Sequence, residues 1–300
     1  MIDRSGPSSK VVQHCRAITR RRARNFYYGL KLLPEPRRTA LYAMYAWMRK
    51  ADDLVDNKTL SAEQKQAQLA AFREMTDRAI AGDVPDDDPM WAGIAFVAER
   101  FQLHPENMHA MLDGQLEDVA EPTFETFQAL QQYCYKVAST VGLVCIEIWG
   151  YRDPAARELA IERGIAFQLT NILRDLREDI DNDRLYLPQE DFAACDLTPA
   201  KLRQWAEPQQ CRDFLLMQVS RAESFYERSA DLDSLITPEC RPTLWAMTTI
   251  YRSLLEKIKA DPALVVAPQR IRLSALRKAS IAVQARWLRP LQRPLGTVSP

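Results

Sequence analysis

Helix-forming residues dominate this chain, and few residues interrupt them. Only 9 of its 300 residues are glycine, and Ala, Leu, Glu, Gln and Arg, which all have high helix propensity, are plentiful. No stretch shows the alternation of apolar and polar residues that is typical of β-strands. Many of the 18 prolines mark gaps between helical stretches. We therefore predict an all-α protein, a bundle of about ten helices.

The predicted helices form one domain, because no long linker separates two halves of the chain. Ser61, with Gln64 three residues later, is typical of a capping box at a helix start. We expect a single domain over residues 1–288 and a loose C-terminal tail over 289–300. The predicted helices cover approximately residues 8–24, 34–57, 62–82, 90–102, 105–119, 124–149, 154–181, 209–233, 238–260 and 271–287.

Composition and charge argue against several classes of protein. The chain has 40 basic and 40 acidic residues, so nothing indicates binding to nucleic acid. No apolar run is long enough to span a bilayer, and the N-terminus lacks the apolar core of a secretory signal. The six cysteines are scattered without a CxxC pair, and the three histidines show no metal-binding spacing. These features predict reduced thiols and a cytoplasmic protein.

The first predicted helix is strongly basic. Either these side chains form a solvated helix face, or they contact a diphosphate or an anionic membrane surface, and the sequence leaves both readings open. The arginines are Arg16, Arg20, Arg21, Arg22 and Arg24.

A first stripe of polar residues lies on the helix predicted to end near Asn57. Tyr45, Arg49, Asp52 and Asp56 are spaced by four, three and four residues and therefore share one helix face. Carboxylates four residues apart repel each other, so a solvated helix gains nothing from them. Mg²⁺ binds one or two protein carboxylates together with substrate phosphate and water. The stripe fits a magnesium site, although a charged surface turn explains this segment equally well.

A second stripe lies on the helix predicted over residues 154–181. Gln168, Asn171, Asp175 and Asp179 share one face of an otherwise apolar stretch, where buried amides need polar partners. Two such stripes in one all-α chain favour a divalent-cation site over charged surface. Three further charged residues lie nearby in the sequence. Arg174 and Arg184 could contact phosphate, and Glu178 could assist at the edge of the cation site.

These stripes resemble the two aspartate motifs of the squalene/phytoene synthase family, the head-to-head isoprenoid synthases, in its bacterial form. The resemblance covers most of the chain, and the stretch that ends in RLYLP is its most specific part. The matching segments are NFYYGLKLLP (25–34), DDLVD (52–56), YCYKVASTVG (133–142), NILRDLRED (171–179), RLYLP (184–188) and YRSLLEKI (251–258).

The resemblance implies the isoprenoid synthase fold, a helical bundle around a deep central cavity. It implies that four aspartates bind Mg²⁺: Asp52, Asp56, Asp175 and Asp179. It implies that Arg49, Arg174 and Arg184 contact diphosphates and that Gln168 and Asn171 lie beside the second metal site. Three tyrosines would line the cavity near the reacting carbons: Tyr45, Tyr135 and Tyr251.

One segment departs from the family pattern. The family often has a serine-x-serine pair before the phenylalanine of its opening segment, whereas this chain has Ala23-Arg24-Asn25 before Phe26. Those serines usually contact phosphate. Asn25 still has a hydrogen-bond donor to offer a diphosphate, but Ala23 has none. Phe26 and Leu30, one turn apart, suit contact with an apolar prenyl tail.

The resemblance implies a reaction between two prenyl diphosphates. One ionises to an allylic cation, the double bond of the second attacks it, and loss of a proton gives a cyclopropyl diphosphate. We expect two farnesyl diphosphates, giving presqualene diphosphate, squalene or dehydrosqualene; the alternative is phytoene from two geranylgeranyl diphosphates. The need for NADPH stays open, because the chain has no nucleotide-binding fingerprint. The apolar product suggests peripheral membrane contact.

Two other functions compete with this expectation. A terpene cyclase also uses Mg²⁺ and helix-borne aspartates, but it does not predict RLYLP or the long match. A non-catalytic relative that acts as an assembly or binding protein would be expected to lack the aspartates, and all four are present here.

Overall fold

Helices make up the regular structure of this protein. A computed structural model describes residues 7–23, 26–84, 88–120 and 123–287. Within these ranges there is no β-strand, only two isolated bridges, which pair Thr123 with Leu185 and Tyr151 with Ile236. The all-α prediction is confirmed, whereas the predicted tail over 289–300 lies outside the described residues.

The first half of the described chain forms eight α-helices and one π-helical turn. They are α1 (Ser9–Arg22), α2 (Phe26–Leu30), α3 (Arg37–Val55), α4 (Ala62–Ile80), α5 (Pro89–Arg100), α6 (Pro105–Val119), α7 (Phe127–Cys134), the π-turn (Tyr135–Ser139) and α8 (Thr140–Trp149). The second half adds α9 (Ala156–Ile180), α10 (Gln189–Ala194), α11 (Pro199–Gln204), α12 (Pro208–Arg228), α13 (Leu232–Leu235), α14 (Arg241–Ala260), a 3₁₀-turn (Pro262–Val266) and α15 (Ala275–Trp287).

Local sequence explains where several helices begin. The Ser61 hydroxyl accepts from the Gln64 backbone N–H while the Gln64 side chain accepts from the Ser61 N–H, so the predicted capping box is confirmed. Asp88 and Thr126 cap α5 and α7 through their side chains. Each of these contacts satisfies a backbone donor that has no partner within its helix.

The segment predicted as one helix over 124–149 is broken by the π-turn. Two glycines on neighbouring helices make room for it. A Cβ on Gly164 would lie 2.5 Å from the Ser139 Cα, and a Cβ on Gly114 would lie 2.5 Å from Val137 Cγ1. The π-turn is therefore packed tightly between α6 and α9, and it presents Val137 and Ala138 to the centre of the molecule.

Helix α9 joins two apolar cores. On one side lies a core rich in tryptophan, in which Phe72 packs against Trp47 and Trp91 with ring centroids 5.6 and 5.0 Å away. On the other side lies a core built mainly from α9, α12 and α14. Because α9 packs against α8, α12, α14 and the π-turn, its polar stripe is held at the centre of the bundle.

Candidate active site

Arg49 contacts three carboxylates at the C-terminal end of α3. Its Nε donates to Asp53 Oδ1 at 2.8 Å, and its terminal nitrogens lie 3.6 Å from Asp52 Oδ2 and 3.4 Å from Asp56 Oδ2. Asp56 is the C-cap residue of α3, and its backbone N–H donates to the Asp52 carbonyl. Arg22 of α1 also donates to Asp53, at 3.2 and 3.3 Å. Two guanidinium groups thus serve three carboxylates, which leaves net negative charge at this helix end.

Asp52 is only partly buried and lacks full charge compensation. Gln115 of α6 donates from Nε2 to Asp52 Oδ1 at 2.9 Å. Burial raises the pKa of Asp52 to about 7; Arg49 opposes the rise, and Asp56, Asp53 and other carboxylates reinforce it. A partly buried carboxylate in this condition gains from a nearby cation.

On α9, Asp175 is held by two arginines. Arg174 donates to its two carboxylate oxygens at 2.8 and 2.5 Å, and Arg270, from the segment before α15, donates to the same oxygens at 2.7 and 2.6 Å. Burial acts to raise the pKa of Asp175, but these hydrogen bonds outweigh burial and lower it. Asp175 is therefore ionised and compensated by charges of the chain itself.

One helical turn further on, Asp179 has the opposite character. Burial raises its pKa to about 7, and the neighbouring charges of Asp175 and Glu178 add to the rise. Arg184 opposes the rise from the loop that follows α9. Like Asp52, Asp179 is a carboxylate whose charge this chain does not balance.

Asp118 of α6 lies between the two aspartate helices. It accepts hydrogen bonds from the Tyr133 hydroxyl at 2.8 Å and the Tyr186 hydroxyl at 3.0 Å. Burial raises its pKa, and its charge in turn raises the pKa of both Asp52 and Asp179. Carboxylates from α3, α6 and α9 thus meet at one place.

A cavity of about 430 Å³ lies beside these carboxylates and joins α3 to α9. Tyr45 from α3, Asn171 from α9 and Tyr251 from α14 form its inner wall. Its charged lining residues are all cations: Arg22, Arg49, Arg174, Arg270, Arg272 and Lys278. This charged cavity suits a highly anionic group such as diphosphate.

Two apolar cavities adjoin the charged one through shared lining residues. The first, of about 90 Å³, shares Tyr45 with the charged cavity and runs between α3, α6 and α8. The second, of about 180 Å³, shares Asn171 and Tyr251 with it and runs along the π-turn and α9. Met48 and Met247 line both. The arrangement is one polar chamber with two apolar arms.

The predicted site residues do not all reach this place. Arg49, Arg174, Tyr45, Tyr251 and Asn171 line the charged cavity. Gln168 lines the second apolar cavity, where its Oε1 accepts from Asn171 Nδ2 at 3.2 Å. Arg184 acts on carboxylates, because Asp118, Asp56 and Asp179 all raise its pKa against the effect of burial.

The roles of all the predicted site residues stay predictions, and three of the residues are not placed at these cavities by the described part of the structure. Tyr135 begins the π-turn with 36% of its surface exposed and lines neither apolar cavity, so its role near the reacting carbons stays a prediction. Asn25 lies outside the described residues. Phe26 begins α2, but its side chain also lies outside the described part of the structure.

Three contributors to the site were not among the residues predicted from the sequence. Gln115, Asp118 and Arg270 come from α6 and from the segment before α15, which carry no aspartate motif. The three-residue spacing of Gln115 and Asp118 on α6 was a signal that they share a helix face.

The donor set fits Mg²⁺. Carboxylate oxygens are the ligands that Mg²⁺ prefers, and the raised pKa values of Asp52 and Asp179 mean that their ionised forms are disfavoured here and would be stabilised by a nearby cation. Among the described residues, no group of three or more acidic, His or Cys side chains is arranged to hold a metal by itself. The site therefore fits an ion that is held jointly by protein and phosphate oxygens.

No helix within the described ranges is both long and apolar enough to cross a membrane. All six cysteines are free, as predicted.

Comparison with known proteins agrees with the site. The profile of the squalene/phytoene synthase family matches residues 19–277, so the chain belongs to this family, whose members are prenyltransferases that join two prenyl units head to head. The chain is 35% identical over 267 residues to the 15-cis-phytoene synthase of Synechococcus elongatus, which covers 84% of this chain and 85% of that protein. It is 36% identical over 276 residues to the phytoene synthase of Mycobacterium tuberculosis, with 90% and 88% covered.

A solved structure extends the agreement to three dimensions. A dehydrosqualene synthase in complex with a ligand superimposes with a TM-score of 0.83 at 30% identity, and the match covers 93% of this chain and 96% of that one. The helical bundle with a central cavity is therefore the isoprenoid synthase fold, as the sequence predicted.

Proposed function

We propose that this enzyme condenses two molecules of farnesyl diphosphate head to head, releases diphosphate and forms presqualene diphosphate or the fifteen-plus-fifteen-carbon hydrocarbon derived from it. The observation that carries the proposal is the chamber with six cations that adjoins two apolar arms. A reaction between two prenyl diphosphates needs one place for phosphate charge and two places for tails.

The cations of the charged cavity bind and orient the diphosphates. Arg174 is buried and held against Asp175, so its guanidinium is ordered before substrate arrives. Arg49 and Arg270 are more exposed and are shared among carboxylates, which lets them transfer hydrogen bonds to phosphate oxygens. Positive charge already in position stabilises the leaving diphosphate without reorganisation.

Four aspartates would hold Mg²⁺ with the diphosphates: Asp52, Asp56, Asp175 and Asp179. A bound ion would supply Lewis acidity to the leaving diphosphate. The chain's own part would be to present carboxylate oxygens from α3 and α9. Gln115 orients Asp52 through its hydrogen bond.

The inner wall protects and steers the cation. Tyr45 and Tyr251 stand where the charged cavity meets the apolar arms, so their rings would face the reacting carbons. Burial raises the pKa of Tyr45 to about 12, and the pKa of Tyr251 is also raised by burial. Both hydroxyls therefore stay protonated near neutral pH, and the apolar arms exclude water that would quench the cation.

The size of the arms favours the fifteen-carbon substrate. The first arm has a volume of only about 90 Å³, and the buried side chains of Trp47 and Met108 are part of its lining. Geranylgeranyl diphosphate is the second candidate, because curated relatives at 35% and 36% identity are named phytoene synthases. A non-catalytic role is disfavoured by the retained aspartates and the ordered cations.

A product assay tests the proposal. Purified protein is incubated with farnesyl or geranylgeranyl diphosphate, with Mg²⁺ or with EDTA, and with or without NADPH, and the products are identified by mass spectrometry. We expect a thirty-carbon product from farnesyl diphosphate with Mg²⁺, and none from the Asp52→Asn, Asp175→Asn double variant. Phytoene as the main product would favour the second candidate, and no pyrophosphate release from either substrate would overturn the enzymatic proposal.

A further inference from the structure

The last described helix carries large apolar side chains on its outer face. In α15, Leu276 is 84% exposed, Val283 is 56% exposed and Trp287 is 85% exposed. The buried side chains of the same helix are Ile281 and Ala285. Single exposed apolar residues are common on protein surfaces, but three large ones on one short helix are not.

These three residues form one stripe. Leu276, Val283 and Trp287 are separated by seven and four residues, so they align along the helix, directly opposite Ile281 and Ala285. Helix α15 therefore has an apolar face toward the protein and a second apolar face toward its surroundings. We call the second face the α15 stripe.

Basic residues flank the stripe on both sides. Arg277 and Arg286 lie on opposite edges of it, and neither forms an ion pair with a described carboxylate. The bias extends well beyond the helix: residues 262–300 contain seven Lys or Arg and no Asp or Glu, in a chain whose basic and acidic residues balance at 40 each. Charge of this kind, placed beside apolar side chains, is typical of helices that lie on anionic membranes.

The basic surface continues to the mouth of the active site. Lys278 of α15 lines the charged cavity together with Arg272 and with Arg22 from the end of α1. Arg20 and Arg21, next to Arg22, are also exposed. Lys278 lies two residues after Leu276, about 200° around the helix, so the charged cavity is on the side of α15 that faces away from the stripe.

From the stripe and its charges we infer that α15 docks this protein on an anionic bilayer surface, with Leu276, Val283 and Trp287 inserted among the lipid headgroups. A second copy of the chain is a poorer occupant, because the unpaired arginines would face like charges across a symmetric interface. The inference rests on α15 itself and does not depend on the proposed substrate.

Flotation with lipid vesicles tests the inference. The full chain is mixed with vesicles of phosphatidylcholine, alone or with about one-third anionic phosphatidylglycerol. We expect binding to the anionic vesicles that is about tenfold or more stronger than binding to the neutral ones, and that weakens as salt is raised. The Leu276→Ser, Val283→Ser, Trp287→Ser variant should lose about tenfold or more of this binding.

A second variant and a matched control separate apolar insertion from charge. Arg277→Gln with Arg286→Gln should weaken binding several-fold and reduce its salt dependence. Arg100→Gln with Arg212→Gln, which removes two exposed arginines on α5 and α12, should bind like the wild type. All substituted side chains are exposed, so unchanged circular dichroism and melting temperature are expected for every variant.

Three results would overturn the inference. One is wild-type protein that does not bind anionic vesicles. Another is a triple serine variant that binds as strongly as the wild type. The third is a wild-type dimer that the triple variant converts to a monomer in light scattering, because the stripe would then be an interface between copies of the chain.

Discussion

The two aspartate helices share a four-residue spacing but are compensated in opposite ways. On α9, Asp175 receives four hydrogen bonds from Arg174 and Arg270, which lower its pKa. On α3, Asp52 receives one hydrogen bond from the neutral Gln115, while Arg49 is shared with Asp53 and Asp56, and the pKa of Asp52 is raised to about 7 by burial.

Sequence spacing alone therefore does not determine the charge state of a carboxylate. Asp175 is compensated by the chain itself, so a cation that binds there would compete with two arginines for it. The ionised forms of Asp52 and Asp179 are not balanced by cations of the chain, so a bound cation would stabilise them most. The arginines displaced from Asp175 would then be free to meet phosphate.

The largest expected effect comes from the uncompensated carboxylates. Asp52→Asn or Asp179→Asn should lower the rate of diphosphate release by about a thousandfold or more, because each removes a charge that the proposed Mg²⁺ site needs. The rate is measured with farnesyl diphosphate at saturating Mg²⁺. Asp53→Asn on the same helix is the control, with a loss of less than about tenfold. Equal losses in all three variants would contradict the distinction between the two uncompensated carboxylates and Asp53.

Removing the arginines that hold Asp175 should have the next largest effect. Arg174→Gln should lower kcat/KM by about a hundredfold, because Arg174 is buried and ordered, and Arg270→Gln by about tenfold, because Arg270 is 42% exposed and replaceable. Steady-state kinetics with farnesyl diphosphate measure both. A larger loss for Arg270→Gln than for Arg174→Gln would contradict this ranking.

The next prediction concerns the two tyrosines that donate hydrogen bonds to Asp118, the carboxylate that lies between the two aspartate helices. In the Tyr133→Phe, Tyr186→Phe variant, a buried carboxylate loses both of its hydroxyl donors. We expect the free energy of unfolding to fall by about 1–3 kcal/mol, measured by urea denaturation at pH 7. Activity should fall by less than about tenfold, since the α3 and α9 stripes keep their places. Unchanged stability would show that the hydroxyls do not support Asp118.

The Asp191 carboxylate lies away from the active site and is balanced by neighbouring donors. Its substitution should therefore have the smallest effect on catalysis. Gln218 and Arg221 donate to it at 2.8 and 2.5 Å, and although burial acts to raise its pKa, these contacts lower it. A lowered folded-state pKa contributes stability above the unfolded value near 3.9, and this stability is lost as pH falls through the folded value.

The Asp191→Asn variant should therefore lose about 2–3 kcal/mol of stability at pH 7. Its deficit relative to the wild type should shrink below about pH 4, and kcat should stay unchanged. Urea denaturation at both pH values measures the first two effects. A deficit that is equal at both pH values would argue that Asp191 acts through packing and not through charge.

Much of the fold could be predicted because helical periodicity is a local property. The long helices α3, α9, α12 and α14 lie close to their predicted positions. Short helices such as α10 and α11 were missed, because six residues carry too little periodicity. The π-turn was missed for a different reason: it depends on the close approach of Gly114 and Gly164, which are distant in sequence.

The part of the site that lies on regular helices could also be predicted. Asp52 and Asp175 could be placed on helix faces from spacing alone. Arg270 could not, because it lies in an irregular segment 95 residues from the Asp175 that it holds. The unequal compensation of the two stripes is likewise a tertiary property, since it depends on which neighbouring helix supplies a neutral amide and which segment supplies an arginine.

Titration calorimetry with inorganic diphosphate tests whether the aspartates and a diphosphate hold Mg²⁺ together. We expect the wild-type protein to bind diphosphate about a hundredfold more tightly with Mg²⁺ than with EDTA, and Mg²⁺ alone to bind weakly. The Asp52→Asn and Asp179→Asn variants should lose most of this Mg²⁺ effect while keeping the affinity measured in EDTA, which the arginines supply. Wild-type affinity that is the same with Mg²⁺ and with EDTA would contradict the claim that these aspartates and a diphosphate hold the ion together.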